Sequence, residues 1–249
     1  SSAASDVYKR QIYINGKKVG EHTGGYTACT LDITPFCSLN TPNSLAVCVD
    51  NSRQDIPPIS GDFTFFGGIY RDVWLTAVSK QHFHLTNYGS EGIFISTPKV
   101  SEEKGTILIR GDIKNDATQK ALLELEHIIY HPNGSIAQSL KQSIQIKAGE
   151  QYSFRSETSP ILSPQLWTPE TPHLYRVESI LRDKKTKTVL DQSNHYTGFR
   201  WFSFDGERGF SLNGKPYKLR GICRHQDQKP IGVALTDEMH RRDIKLMKE

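Results

Sequence analysis

Tyr217–Gly232 reads YKLRGICRHQDQKPIG, and its interpretation decides the fold. The run opens as a strand and ends in Arg220, Arg224, His225 and Asp227. Just upstream, GFSLNGKPYKLRGI turns at Asn213-Gly214, a pair suited to a tight hairpin because both positions tolerate positive φ. Just downstream, LTDEMHRRDIKLMKE changes the apolar period from two to about 3.6, with Met239, Ile244, Leu246 and Met247 on one side. Thr236 can cap this helix, and Asp237 and Glu238 sit in its first turn, where carboxylates suit the helix dipole. Strand, loop, helix is the repeating unit of an α/β barrel. A barrel takes about 250 residues, and only one unit fits before Glu249. Residues 204–249 are therefore expected to be the start of a barrel, cut short.

Working back toward the N-terminus, the patterns are those of β-structure. QIYINGKKVGEH predicts a hairpin at Asn15-Gly16, and YTACTLDIT, NSLAVCVDNS and GGIYRDVWLTAV predict three further strands. Residues 12–79 have too few strands to close a jelly roll, which uses eight, so part of one is expected. From 80 to 203, about seven strands follow at short spacing, with turns at Asn133-Gly134 and in RDKKTK. This fits an immunoglobulin-like sandwich. The fold class is thus mainly β: a partial jelly roll, a sandwich, then the first βα unit of a TIM barrel. Residues 1–11, SSAASDVYKRQ, carry neither an initiator Met nor an apolar leader. They read as a non-native prefix, with the true N-terminus and any export signal missing, so compartment is left open.

Composition narrows the function classes. The 249 residues carry a net charge of +4, with Lys and Arg scattered among acids, which gives no basic patch for nucleic acid. No apolar run approaches the ~20 residues of a membrane helix. The four cysteines form no CxxC, which excludes a zinc ribbon. Cys29, Cys37 and Cys48 are close enough in sequence for one disulfide, but four free, mostly buried thiols is the simpler expectation. His82 and His84 suggest a metal pair without a third ligand, and more simply a solvated strand face. His127 and His131, about 13 Å apart in an extended strand, cannot share an ion. No Walker or GxGxxG loop is present.

Four stretches in order, YINGKKVGEHTGGYTACTLDIT, VDNSRQDIPPISGDFTFFGGIYRDVWL, LWTPETPHLY and GFSLNGKPYKLRGICRHQD, resemble glycoside hydrolase family 2, most closely its β-galactosidases. The resemblance runs from Gln11 to Glu249. It implies a sugar-binding jelly roll, an immunoglobulin-like domain and a catalytic barrel. It also implies retaining hydrolysis of terminal β-galactosides by two glutamates about 5–5.5 Å apart. Neither glutamate has a counterpart here, since Glu238 and Glu249 lie on or after the first helix, so this chain alone is expected to be inactive. The whole enzyme would use sodium and magnesium, form a homo-oligomer and have a carbohydrate as its partner, with neither nucleic acid nor membrane. No cofactor is expected in these residues.

Two residues carry the binding role that the resemblance implies. Asp62, in GDFTFFGGIYR, matches an aspartate that reaches sugar hydroxyls and a sodium ion; alone, it reads as a turn cap beside Gly61. His225 matches a histidine at the end of the first barrel strand that hydrogen-bonds the sugar. A neutral imidazole offers one donor and one acceptor for that task. Arg220 and Arg224 are expected to be scaffold, paired with acids of neighbouring strands, and Asp227 departs from the better-known pattern. Gly67-Gly68, Arg71, Trp167 and Tyr175 are read as structural. Two other readings remain: a noncatalytic carbohydrate-binding tandem of β-domains, and a family 2 enzyme for another sugar, a β-glucuronide or β-mannoside.

Overall fold

The computed structural model describes residues 9–24, 27–50, 52, 66–87 and 89–249. The chain divides into two units, one of Ser1–Thr76, Thr86–Ser90 and Ile222–Glu249, the other of Ala77–Leu85 and Glu91–Gly221.

In the first unit, β1 (Lys9–Ile14), β2 (Lys17–Thr23) and β3 (Leu45–Asp50) form an antiparallel sheet in the order β2-β1-β3. The β1–β2 turn is the expected one, with φ of 51° at Asn15 and 76° at Gly16. Two positive φ values match the right-handed twist of the flanking strands. The Asn15 side chain also donates to Phe36 O (3.1 Å) and accepts from Ser44 N (3.0 Å), tying the turn to the start of β3. β1 begins inside the expected prefix: Lys9, Arg10 and Gln11 pair with both β2 and β3. Arg10 is buried and donates to Thr27 O at 2.9 Å. Residues 9–11 thus belong to the fold.

Two expected strands do not form. Thr27–Thr34 holds only an isolated bridge at Cys29 and runs into a 3₁₀ turn at Thr34–Phe36. Pro35 lacks the N–H a ladder needs, and Asp32 accepts from Thr34 N at 2.9 Å, which favours the turn. Residues 67–78 carry no ladder, and Trp74 and Leu75 are 61% and 82% exposed. Alternation assigns faces, but a strand also needs a pairing edge. All four cysteines lie in this unit and are free: Cys29 and Cys37 are half-buried and Cys48 and Cys223 are exposed, so no disulfide forms and the thiols are not mostly buried.

The second unit is the sandwich. One sheet centres on β6 (Lys104–Asn115). β4 (Gln81–Phe83) and β5 (Ile93–Val100) pair with it, as do β9 (Gln151–Glu157) and β10 (Ile161–Leu162). The other sheet runs β12-β11-β7-β8, from β7 (Ala121–Tyr130), β8 (Ile136–Ile146), β11 (Tyr175–Asp183) and β12 (Val189–Thr197). Alternate residues of both sheets fill the gap: Ile107, Ile109 and Ile113 from β6, Leu123, Leu125 and Ile129 from β7, Val177 and Leu181 from β11. This is the period-two burial of an aligned sandwich. Gly111 lets Phe154 in, since a Cβ there would meet the ring at 2.7 Å and Gly92 O at 2.4 Å.

Histidine in this core behaves differently from expectation. His82 is buried, with Nδ1 3.0 Å from Ser79 O, so it does not sit on a solvated face. His127 is 1% exposed, packs its ring 5.4 Å from Phe154, and shares a 2.8 Å hydrogen bond between Nδ1 and Ser179 Oγ. Its Nε2 has no hydrogen-bond partner among the described residues. Burial without a compensating charge holds its pKa down at about 4. A meander of β13 (Phe202–Asp205), β14 (Gly209–Leu212) and β15 (Lys215–Pro216) ends the unit, turning at Asn213-Gly214 as expected.

Candidate functional site

Tyr217–Gly232 does not open as a strand. After Tyr217 N bonds Phe210 O at 2.9 Å, residues 218–227 join no ladder, and Leu219 and Ile222 are 62% and 71% exposed. A barrel strand is hydrogen-bonded along both edges. Among the described residues, no segment offers either edge. The helix does form: α1 (Asp237–Lys248) has Thr236 accepting from Met239 N, and it buries none of its residues.

Between these two elements the chain is held at two points. The first is Arg224. Its Nε donates to Asp243 Oδ2 at 2.8 Å, its Nη2 also bonds that oxygen, and its Nη1 lies 3.1 Å from His240 Nδ1. An arginine has only donors, so His240 Nδ1 must accept, and the imidazole proton is on Nε2. The acid is therefore on the following helix, where the sequence reading placed it on a neighbouring strand. The second point is Gln228. Its N donates to Gly232 O at 2.9 Å, and its O accepts from Ile231 N and Gly232 N, closing a turn. Gly232 has φ of 60°, and a Cβ there would lie 2.7 Å from the Phe66 ring, so the turn packs on Phe66 where only glycine fits.

His225 and Asp227 lie between the two points, and both are exposed. Among the described residues, His225 makes no side-chain hydrogen bond, including to Asp227. Its ring is open to a ligand hydroxyl. Arg220 is exposed and has no acid partner among the described residues. Asp62, with its expected sugar and sodium contacts, lies outside the described residues. Among the described residues no three His, Cys, Asp or Glu side chains converge on a metal. No helix among them is long and apolar enough to cross a membrane.

Trp167 and Tyr175, read as structural, are packed against other side chains. Tyr175 is in the core, its ring edge-on to Phe199 at 4.8 Å. Trp167 carries the Arg200 guanidinium 4.5 Å above its ring. Sequence reasoning missed His240 and Asp243. Their i,i+3 spacing on one helix face was readable, but nothing in the sequence linked that face to Arg224.

Two family models match: glycosyl hydrolases family 2, sugar binding domain, over residues 3–79, and glycosyl hydrolases family 2 over residues 91–200. The crystal structure of a Bacteroides uniformis beta-glucuronidase superposes with a TM-score of 0.96 and 72% identity, covering 99% of this chain and 29% of that one. A beta-glucuronidase of Bacteroides fragilis is 34% identical over 243 residues, 96% of this chain and 34% of the relative. A beta-galactosidase of Thermoanaerobacter pseudethanolicus is 32% identical over 244 residues, 96% of this chain and 31% of the relative. The chain thus spans about a third of the length of these relatives.

Proposed function

Because the chain belongs to glycosyl hydrolases family 2, we propose that it supplies the sugar-binding and immunoglobulin-like domains, and the first substrate loop, of a hydrolase that cleaves terminal β-glucuronides. The observation that carries the sugar is the 72% identity to a beta-glucuronidase over 99% of this chain. The beta-galactosidase stands at 32% over 96%. The preference for β-galactosides that the resemblance implies carries less weight on that contrast. It is kept as a second reading, because both sugars occur among the similar proteins and the segment from 53 to 65 lies outside the described residues.

In this reading the chain binds and orients, and the bond is broken by groups it does not contain. His225, exposed and open at the end of the loop, offers a donor and an acceptor to adjacent hydroxyls of the sugar ring. Hydrogen bonds of this kind strengthen as the ring flattens toward an oxocarbenium ion, which is where they accelerate the reaction. The retaining chemistry requires two carboxylates, one as nucleophile and one as acid and base. No residue of this chain stands in a matching position.

The test is the ratio of kcat/KM for p-nitrophenyl β-D-glucuronide and p-nitrophenyl β-D-galactoside, measured on the full-length polypeptide. A site built to pair a carboxylate rejects a sugar lacking it by about 10⁴-fold, so a large glucuronide preference is expected. A preference for the galactoside would contradict the proposal and establish the second reading.

A further inference from the structure

The contacts around Arg224 carry an inference about how the substrate loop is held. We propose that Arg224, gripped by Asp243 and His240 of α1, is a positioning residue that sets the orientation of His225. The effect on turnover rests on the family 2 reading above; the geometric part stands without it.

Four observations lead there. Arg224 is the one residue between Lys218 and Asp227 that is not exposed, with a side chain 17% accessible. Its two helix partners are three residues apart on one face of α1, so a single guanidinium reaches both. Asp243 takes two of its N–H groups on one oxygen, and His240 takes a third through an unprotonated Nδ1. The planar fork of arginine matches this divergent set, whereas a lysine ammonium would hold one partner at a time. The fourth is the turn at Gln228–Gly232, seated on Phe66. His225, Gln226 and Asp227 are thus a three-residue span fixed at both ends, although their own side chains are exposed. Ordering such a span before substrate arrives removes an entropy cost from the binding step and from the transition state. Among the described residues the first end is held by Arg224 alone, so loss of its acid frees His225 without touching it.

Two measurements test this. The first is a double-mutant cycle in the full-length polypeptide on p-nitrophenyl β-D-glucuronide, with Asp243→Ala, His225→Ala and both together. Asp243→Ala should lower kcat/KM about 10²-fold. In the His225→Ala background the same change should cost less than about threefold, because a positioning residue acts through the group it positions. Arg241→Ala, which removes an exposed pair with Asp237 on the same helix, should leave kcat/KM unchanged. Full additivity of the two losses would overturn the proposal. If Asp243→Ala does not fold, Arg224→Lys, which keeps the charge and loses the fork, replaces it with the same expected non-additivity. If the wild type acts only on the galactoside, the sugar assignment fails and the cycle is run on that substrate with the same criteria. The second measurement is a crystal structure of the full-length Asp243→Ala variant, which needs no activity. His225 should be displaced by about 1 Å or more, or lose its density, while α1 stays in place. An unmoved His225 would overturn the proposal whatever the substrate.

Discussion

The sandwich and the segment Ile222–Glu249 belong to one chain and are held by different physics. In the sandwich, two sheets bury each other's apolar faces, and Ile107, Ile109, Ile113, Leu125, Ile129 and Val177 are fully inaccessible. In the C-terminal segment, α1 buries nothing, its apolar Ile244 and Leu246 are 53% and 59% exposed, and order in the loop rests on one guanidinium and one turn. Burial at about 25 cal/mol per Å² is the main source of stability. The sandwich is therefore a finished structural module. The C-terminal segment is a loop and a helix whose apolar side is exposed among the described residues.

If that contrast is right, the largest effect comes from the sandwich core. Phe154→Ala removes a buried ring that fills the space over Gly111 and His127. It should destabilise the sandwich by about 3–5 kcal/mol, read as a lower urea midpoint. A loss below about 1 kcal/mol would mean the core is looser than described.

The next effect is the response of the sandwich to acid. His127 has its pKa lowered from 6.5 to about 4 by burial, so the folded state keeps it neutral while the unfolded state takes up a proton. Its contribution is fully present above pH 6.5. It is lost as pH falls toward 4, by about 3 kcal/mol, since each pKa step is about 1.4 kcal/mol. Asp191 works against this over a lower range, because desolvation raises its pKa and the folded state takes up its proton more readily. Urea midpoints measured from pH 7 to 4 should therefore fall, and His127→Leu should flatten the fall. An unchanged slope in that variant would assign the acid sensitivity to other groups.

Smaller effects belong to the C-terminal segment. The Arg224–Asp243 pair is 17% and 24% accessible, so Asp243→Ala should cost about 1 kcal/mol, and less at high salt. In this chain the loss should appear as about fivefold faster tryptic cleavage at Lys218–Lys229, with the sandwich uncut. Smallest of all, Ile244→Lys should change the stability of this chain by less than about 0.5 kcal/mol. A drop of several kcal/mol would show that α1 is already packed on something.

The same contrast explains what could be read from sequence. The sandwich strands were legible because alternation and the turns at Asn133-Gly134 and in RDKKTK are local signals, and each strand finds a partner within the chain. α1 was legible down to its cap at Thr236. The strands expected at 67–78 and 217–224 carry equally good patterns and do not form, because a pattern specifies a face and cannot supply a neighbouring edge. His225 was singled out through a family motif, and the structure leaves it exposed. Arg224 was correctly taken for scaffold, but its partners lie 16 and 19 residues away on a helix, a pairing that only the folded loop brings together. The burial of His127 was hidden because one histidine among apolar residues looks the same whether it faces water or a core.

In the proposed function this chain binds and orients the sugar while the bond-breaking groups lie outside it. The most direct measurement compares hydrolysis of p-nitrophenyl β-D-glucuronide by residues 1–249 alone and by the full-length polypeptide, both purified from a host lacking β-glucuronidase. Turnover by the full-length polypeptide and none by the chain alone is the predicted result. Turnover by the chain alone, abolished by a substitution within it, would contradict the claim.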